Sequence, residues 1–175
     1  MNIAPLSSHL RAPARGFTLI ELLVVVALIG VLSAIAAPFL IAARSSANEA
    51  SAIQSMRTVV SAQSTFATVC GKGAYTTSLT TLVSEQFASP DLDITPKSGY
   101  SFELMAALVS NPAEADCTGD ATRTGYYFFA EPLAGNTGRR AFATNQVGTI
   151  WQDYSGVAPT EPFSAAGSSS PLDGR

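Results

Sequence analysis

One carboxylate in this chain of 175 residues occupies a position where charge is costly. Glu21 lies near the start of an apolar run, and no other charged residue occurs from Leu22 to Ala43. A run of this length and composition predicts a helix that spans a membrane. Because an ionised side chain at membrane depth is expensive, such residues mark functional positions. The chemistry that we expect of Glu21 is charge pairing.

Acidic residues in loops are the second set able to do chemistry, as oxygen ligands for calcium. The candidates are Asp116, Asp120 and Asp153, with Asp91 and Asp93 as a further pair. Neither the Asp91–Asp93 stretch nor the Asp116–Asp120 stretch matches an EF-hand loop. We therefore predict no resident cofactor and keep calcium as the alternative.

The sequence gives no indication of catalysis. The only histidine, His9, precedes the apolar run, so neither a histidine-based triad nor a zinc or iron site is indicated. The stretch Gly71-Lys72-Gly73 lacks the other residues of a P-loop. With 10 basic and 13 acidic residues the formal net charge is -3, and we expect no nucleic-acid partner. The only adjacent basic pair, Arg139-Arg140, is expected in an exposed turn.

The apolar run continues into a second helical pattern. Residues 17–43 predict a hydrophobic transmembrane and assembly helix, and residues 44–70 predict an amphipathic continuation that covers a head domain. Pro38 predicts a kink, because it lacks a backbone N–H, and Gly71 and Gly73 are expected to end the helix. The face expected to be buried comprises Ile53, Met56, Val60, Gln63, Ala67 and Cys70, widened by Val59 and Phe66.

Strand patterns follow the helix. After a connection with one helical turn near Leu79–Val83, aromatic and β-branched runs predict three or four short antiparallel strands. These runs are residues 100–105, 125–131, 140–144 and 148–152. The amphipathic half of the helix is the expected cover for the sheet. The predicted fold is therefore α+β, with the head at residues 71–160 and a flexible Gly/Ser-rich tail at residues 161–175.

The chain has two cysteines, Cys70 and Cys117. An even number of cysteines in an exported chain favours one disulfide, and we predict that these two residues form it. Two separate buried thiols are the alternative.

The residues around Glu21 resemble a processing site. The sequence Arg15-Gly16-Phe17-Thr18-Leu19-Ile20-Glu21-Leu22 is similar to the cleavage region of the type IV pilins and the type II secretion pseudopilins. The resemblance implies a leader at residues 1–16, which a membrane aspartyl peptidase removes by cutting after Gly16. It also implies that the same enzyme methylates the new amino group of Phe17. Pro38 matches a helix-loosening proline that is common in the family, and the expected fold is pilin-like.

The basic residues before the apolar run predict its orientation. Arg11 and Arg15 favour a cytoplasmic N-terminus and an exported head, as a single-pass inner-membrane protein. The resemblance implies incorporation into a periplasmic pseudopilus or a cell-surface pilus. It implies three partners, namely the prepilin peptidase/methyltransferase, identical or related subunits, and an inner-membrane assembly platform. The choice between pilus and pseudopilus stays open, as does an anchored periplasmic binding domain that does not polymerise.

Cleavage would supply Glu21 with a partner. The new Phe17 amine is expected one helical turn before Glu21, and a filament would offer the amine of another subunit as well. A subunit in the wrong register would leave both charges unpaired in a dry core, so the pair would act as a register device. The small residues Gly30, Ser33, Ala34, Ala36 and Ala37 would let neighbouring helices approach closely.

A secretory signal peptide is the competing interpretation, with Ala34-Ile35-Ala36 as the cleavage signal. That interpretation gives Glu21 no role. We predict that N-terminal sequencing and mass spectrometry of the mature protein will find a methylated Phe17 as the first residue. A mature chain that begins at Ala37 would contradict the prediction.

Overall fold

The computed structural model describes residues 16–133 and 137–172. The chain forms two compact units, with the boundary between Phe39 and Leu40. One long helix, α1 (Leu19–Val69), contributes to both units. The rest of the second unit contains a short helix, one turn of 3-10 helix (Pro90–Leu92) and an open antiparallel sheet, so the predicted α+β, pilin-like architecture is confirmed.

The described part of the first unit is the apolar beginning of α1. Every residue from Gly16 to Arg44 is exposed in the single chain. By length and composition the helix can cross a membrane. Pro38 lies inside α1, and the kink expected there stays a prediction.

In the second unit, α1 buries one face in the hydrophobic core. Its largest fully buried side chains are Met56, Val59, Gln63 and Phe66, spaced by three or four residues. Ile53 and Val60, which were expected in the buried face, are only half-buried. Compared with the predicted face, the observed buried face is rotated about the helix axis and includes the small residues Ala52, Ser55 and Ala62. Ala52 and Ala62 belong to the same buried cluster as the aromatic residues of the sheet.

The chain turns sharply after α1 ends at Val69. The N–H groups of Gly71 and Gly73 donate to the carbonyls of Phe66 and Ala67, both at 2.7 Å, and so satisfy the last turn of the helix. Gly73 has φ +90°, a conformation that glycine adopts readily. A Cβ atom on Gly71 would lie 2.2 Å from the Ala74 carbonyl oxygen. Both glycines therefore act as predicted.

The connection to the sheet contains the predicted helical turn, α2 (Leu79–Ser84). The side chain of Ser78 caps α2 by accepting a hydrogen bond from the Thr81 N–H at 3.3 Å. Leu82 faces inward and is fully buried.

The sheet is a five-stranded antiparallel meander in which each strand pairs with the next one along the chain. Its strands are β1 (Tyr100–Ala106), β2 (Tyr126–Pro132), β3 (Ala141–Asn145), β4 (Trp151–Asp153) and β5 (Ser169–Pro171). Its inner face contributes Phe102, Leu104, Phe128 and Phe142 to the core that α1 shares. Phe102 and Phe128 stack with ring centroids 6.0 Å apart.

Strand β5 corrects the prediction of three or four strands and of a tail without structure. Its sequence, Ser169-Ser170-Pro171, has no apolar alternation, so no local pattern reveals it. The strand forms by backbone pairing with β4 and by side-chain hydrogen bonds. The Asp153 carboxylate accepts from the hydroxyls of Ser168 (2.8 Å) and Ser169. The expected flexibility of the tail stays a prediction.

The C-terminal segment also covers the outer face of the sheet, a role that the sequence did not predict. The Tyr127 hydroxyl donates to the Pro159 carbonyl at 2.7 Å. The Ala158 N–H donates to the Glu131 carboxylate at 2.8 Å. Phe163 stacks on Trp151 with ring centroids 5.5 Å apart. The outer face of the sheet is therefore covered in part, while Glu103 and Met105 of β1 stay exposed on it.

An ion pair joins α1 to the connection between β2 and β3. Arg140 Nη2 and Nε lie 2.7 and 2.8 Å from Glu49 Oε2, and the Arg139 N–H donates to Glu49 Oε1 at 2.8 Å. Arg140 also donates to Gln152 at 2.7 Å. The expectation of an exposed position holds for Arg139 but is wrong for Arg140, whose half-buried side chain binds Glu49 in α1.

We predict that Glu49→Ala lowers the free energy of unfolding by about 2–4 kcal/mol, because Arg140 loses its partner in a half-buried site. Glu103, exposed on β1, provides the matched control. Glu103→Ala should change the free energy of unfolding by less than about 0.5 kcal/mol. Chemical denaturation of the full chain in detergent measures both values. Equal stability of the wild type and Glu49→Ala at neutral pH would contradict the prediction.

The same pair predicts a pH dependence. Burial raises the pKa of Glu49, but hydrogen bonds from Arg139 and Arg140 outweigh burial, so the pKa lies below its ordinary value. The stabilisation is therefore complete above the ordinary carboxyl pKa and is lost as the pH falls through the lowered one. Denaturation curves of the wild type and Glu49→Gln should converge as the pH is lowered. A stability difference that stays constant down to low pH would contradict the prediction.

Candidate functional site

Reciprocal hydrogen bonds hold Glu21 at the start of α1. Thr18 precedes the first helical residue, and its hydroxyl oxygen accepts from the Glu21 N–H at 3.2 Å. The Glu21 carboxylate accepts from the N–H and the hydroxyl of Thr18, both at 2.9 Å. This arrangement is a capping box, which satisfies two N–H groups that a helix start otherwise leaves unpaired. The Thr-x-x-Glu spacing in the sequence indicates this cap. Only charge pairing was expected from the sequence as the role of Glu21.

Phe17 lies just before the helix in the uncleaved chain, since Phe17 and Thr18 both precede α1. The expected place of the amine, one helical turn before Glu21, concerns the cleaved chain and stays a prediction. In the uncleaved chain the nitrogen of Phe17 belongs to a peptide bond and carries no positive charge. The observed partner of Glu21 is Thr18, and its pairing with a Phe17 amine stays a prediction.

The described residues that follow the expected cleavage site are exposed to solvent. Phe17 is 91% exposed, and no atom lies within 4 Å of the position that a Cβ of Gly16 would occupy. Arg15 and the rest of the leader fall outside the described residues. Nothing in residues 16–18 therefore blocks access to the bond after Gly16.

The small residues expected between helices lie on this same open surface. Gly30, Ser33, Ala34, Ala36 and Ala37 are all exposed, and no atom lies within 4 Å of a Cβ built on Gly30. The large side chains among them, including Ile29, Leu32 and Ile35, are exposed as well. An apolar surface of this extent requires a cover of lipid or protein.

Cys70 and Cys117 form a disulfide, as predicted. The bond joins the residue after α1 to the connection between β1 and β2, across a sequence separation of 47 residues. The Cys117 N–H also donates to Cys70 Sγ at 3.2 Å. The bond fixes the loop around Cys117 against the end of the helix.

The structure separates the acidic residues that were considered as calcium ligands. Asp153 lies at the end of β4, where hydrogen bonds from Ser155, Ser169 and Ser168 hold its pKa well below the ordinary value. Asp91 pairs with Lys97, and Asp93 accepts from the Thr80 hydroxyl at 3.1 Å.

Of the predicted ligands, Asp116 and Asp120 do come together, in the loop that contains Cys117. The carboxylate that joins them is Glu85, at the C-terminal cap of α2. Sequence inspection missed Glu85 because the fold brings it there from a distant part of the chain. The predicted Cys70–Cys117 bond was the one sequence feature that indicated where this loop lies, because it fixes the loop at the end of α1.

A pocket of about 420 Å³ opens on the outer side of the head. Its apolar lining includes Leu108, Val109, Val147, Trp151 and Phe163. Glu161, also in the lining, accepts from the Asn145 amide at 2.7 Å and from the Leu108 N–H at 2.6 Å. Leu108, Val109 and Val147 are largely exposed, so the pocket is an open depression with apolar walls.

The disulfide yields a prediction for stability. Replacing both Cys70 and Cys117 by serine should lower the free energy of unfolding by roughly 4 kcal/mol in the chain-entropy model, because the bond restricts a long loop in the unfolded chain. Chemical denaturation of the full chain, with and without a thiol reductant, measures the loss. Reduction should destabilise the wild type to the same extent and leave the double variant unchanged. A fully reduced wild type of unchanged stability would contradict the prediction.

Comparison with known proteins identifies the region that contains this helix start. Residues 11–37 match the prokaryotic N-terminal methylation motif. The match includes Gly16, Phe17 and the capping box formed by Thr18 and Glu21. No curated protein and no solved structure shows significant similarity to the chain. The chain therefore carries at its N-terminus the prepilin signature of the type IV pilins and pseudopilins.

Proposed function

We propose that this chain is a structural subunit of a helical filament, either a type IV pilus-like fibre or a type II secretion pseudopilus. Prepilin peptidase removes residues 1–16 and methylates Phe17. Before assembly the subunit resides in the inner membrane with its head in the periplasm. It then enters the filament through a membrane assembly platform. One observation carries the proposal: the prepilin signature coincides with an apolar helix surface that the single chain leaves uncovered.

Two environments can cover that surface in turn. Lipid covers it while the subunit is in the membrane, and the helices of other subunits cover it in the filament. Transfer from one to the other gains little hydrophobic free energy, because lipid chains are as apolar as leucine. Close packing at Gly30, Ser33, Ala34, Ala36 and Ala37 then supplies contact, and a polar pair is needed to select the register.

Glu21 has an oxygen available for this pair. Both hydrogen bonds that its carboxylate accepts from Thr18 end on Oε2. Among the described residues, no hydrogen bond to Oε1 is present, so a charged amine can bind there without breaking the cap. Cleavage creates such an amine at Phe17, next to Thr18. In a filament, the Phe17 amine of a neighbouring subunit can occupy the same position.

The pocket beside Trp151 favours a second candidate function, a membrane-anchored periplasmic binding domain that does not polymerise. The helix start favours the filament, because an anchor alone needs the Glu21 carboxylate only as a helix cap, whereas a filament also needs it for charge pairing. Electron microscopy of sheared surface or periplasmic fractions separates the two functions. Filaments that contain this chain are expected, and a processed chain found only as a membrane-bound monomer would favour the alternative.

Two variants separate the charge of Glu21 from its role as a cap. Glu21→Gln removes the charge and keeps a side-chain oxygen for Thr18, whereas Thr18→Val removes the hydroxyl and keeps the charge. We predict that Glu21→Gln is inserted and cleaved but lowers filament yield at least about tenfold, since a buried amine without a partner costs several kcal/mol. Thr18→Val should reduce the yield less. Immunoblots of sheared filaments from the native host measure both.

Glu103→Gln is the matched control, because it makes the same chemical change at an exposed position of the head. Its filament yield should equal that of the wild type. Normal filaments from Glu21→Gln would contradict the charge pairing. A larger defect in Thr18→Val than in Glu21→Gln would show that capping is the role of the carboxylate.

A further inference from the structure

Two apolar surfaces lie at opposite ends of the sheet. The pocket beside Trp151 is at one end, because Leu108 follows β1 and Val147 lies in the turn between β3 and β4. A second surface is at the other end, after β2 and β4 and just before β3. We call it the Arg139 patch, and it comprises Leu133, Arg139, Tyr154 and Val157. The seven residues of β2 separate the two ends by about 20 Å.

The Arg139 patch presents apolar side chains to solvent around one cation. Leu133, Tyr154 and Val157 are each between 57% and 62% exposed. The turn after β4 lies against the other two segments, since a Cβ on Gly156 would be 3.9 Å from Pro132 Cγ and 4.0 Å from the Arg139 carbonyl oxygen. The Arg139 side chain is exposed and has no acidic partner among the described residues. The patch therefore offers apolar surface and an unpaired positive charge.

The pocket beside Trp151 offers the complementary charge. Its half-buried Glu161 carboxylate accepts from the Asn145 amide and from the Leu108 N–H, and both of these donors are neutral. Among the described residues no cation pairs with Glu161, so its negative charge has no counter-charge. Each carboxylate oxygen can accept a further hydrogen bond. The pocket therefore combines exposed apolar walls with an unpaired negative charge.

We propose that the pocket beside Trp151 of one subunit receives the Arg139 patch of a second copy of this chain. The apolar side chains of the patch cover the exposed walls of the pocket, and Arg139 pairs with Glu161. Apolar burial supplies contact area, and the charge pair fixes the orientation of the two heads. This contact rests on the proposed filament, in which the heads of neighbouring subunits are held close together.

The arrangement of the two surfaces suits a filament. In a two-fold dimer both copies use the same patch, and the contact closes on itself. A contact between two different surfaces leaves a free pocket on one copy and a free Arg139 patch on the other. Each further copy can repeat the contact, which generates an open helical array when the rotation does not close.

The two surfaces are also displaced along α1. The Arg139 patch lies beside Glu49, which accepts a hydrogen bond from the Arg139 N–H. The pocket end of the sheet lies beside Val60, because a Cβ on Gly148 would be 3.4 Å from Val60 Cγ1. At about 1.5 Å per residue, Glu49 and Val60 are about 16 Å apart along the helix. The contact therefore stacks successive heads in the direction of this part of α1.

Cross-linking of sheared filaments from the native host tests the contact. The chain carries Val147→Cys in the pocket and Val157→Cys in the patch, and a short bis-maleimide probe joins cysteines that lie close together. Cys70 and Cys117 are bonded to each other and do not react with the probe. A ladder of covalent multimers is expected. The two new cysteines of one chain are about 20 Å apart, too far for the probe to join them internally.

Three control chains should give no ladder. Two are the single variants Val147→Cys and Val157→Cys, because each surface contacts only the other one. The third carries Val147→Cys with Ile94→Cys, since Ile94 is an exposed apolar residue outside both surfaces.

A charge variant tests the same contact through filament yield. Val147→Lys places a second cation beside Arg139 of the neighbouring subunit and should lower the yield at least about tenfold, because like charges in an interface are strongly unfavourable. Ile94→Lys makes the same kind of change at another exposed position and should assemble as the wild type does. Both variants should keep the wild-type melting temperature in detergent, since both side chains are exposed.

The outcomes separate this contact from the filament function. Filaments that give no ladder, or a normal yield from Val147→Lys, would overturn the contact and leave the filament function standing. A cross-link from Val147→Cys to a different protein would assign the pocket to that partner and would also overturn the contact. Absence of any filament that contains the wild-type chain would overturn the filament function, and the contact with it.

Discussion

The constraint on which the rest of the chain depends is an apolar helix surface that a single molecule cannot cover. From Leu19 to Ile41 the large apolar side chains of α1 are exposed, and water is a poor solvent for them. Lipid and other copies of the helix are the two covers available, and they are nearly equivalent in hydrophobic free energy. A change from one to the other therefore needs a polar signal. In the proposed filament, Glu21 and the amine made by cleavage would provide a signal that exists only after processing.

The capping box refines how such a signal operates. In the uncleaved chain the carboxylate of Glu21 is bound by Thr18, which lowers the cost of placing a charge at the end of an apolar helix. The bonds from Thr18 use one carboxylate oxygen and leave the other for an amine. Capping and charge pairing are thus compatible within one side chain. The precursor can therefore hold the Glu21 carboxylate in the cap, and the proposed charge pairing after cleavage does not require the cap to break.

The head is stabilised by contacts between residues that are distant in the sequence. Arg140 binds Glu49, the disulfide joins Cys70 to Cys117, and the C-terminal segment covers the sheet with Phe163. The inner face of the sheet is therefore packed against α1 and its outer face is covered in part by the C-terminal segment. These contacts lie entirely in the second unit, so the head forms its own core without using the apolar part of α1.

The features predicted from the sequence are those that local patterns encode. The long apolar run, the glycines after Val69 and the aromatic runs of β1 to β3 each have a signal within a few residues. The burial of Arg140, the strand at Ser169 and the place of Glu85 beside Asp116 depend on partners from elsewhere in the chain. Because these residues are charged or polar, the sequence alone predicts that they lie in exposed loops. Only the folded structure shows the partners that they contact. The start of α1 at Leu19 was missed for another reason, since Thr18 is both part of the cleavage motif and a helix cap.

A cryo-electron microscopy map of filaments sheared from the native host tests the central claim most directly. The account predicts subunits that begin at Phe17, with α1 helices in the filament core. It further predicts a Glu21 carboxylate oxygen within about 4 Å of a Phe17 amine nitrogen, the range of an ion pair. A core in which Glu21 contacts only Thr18, with every Phe17 amine distant from it, would contradict the account.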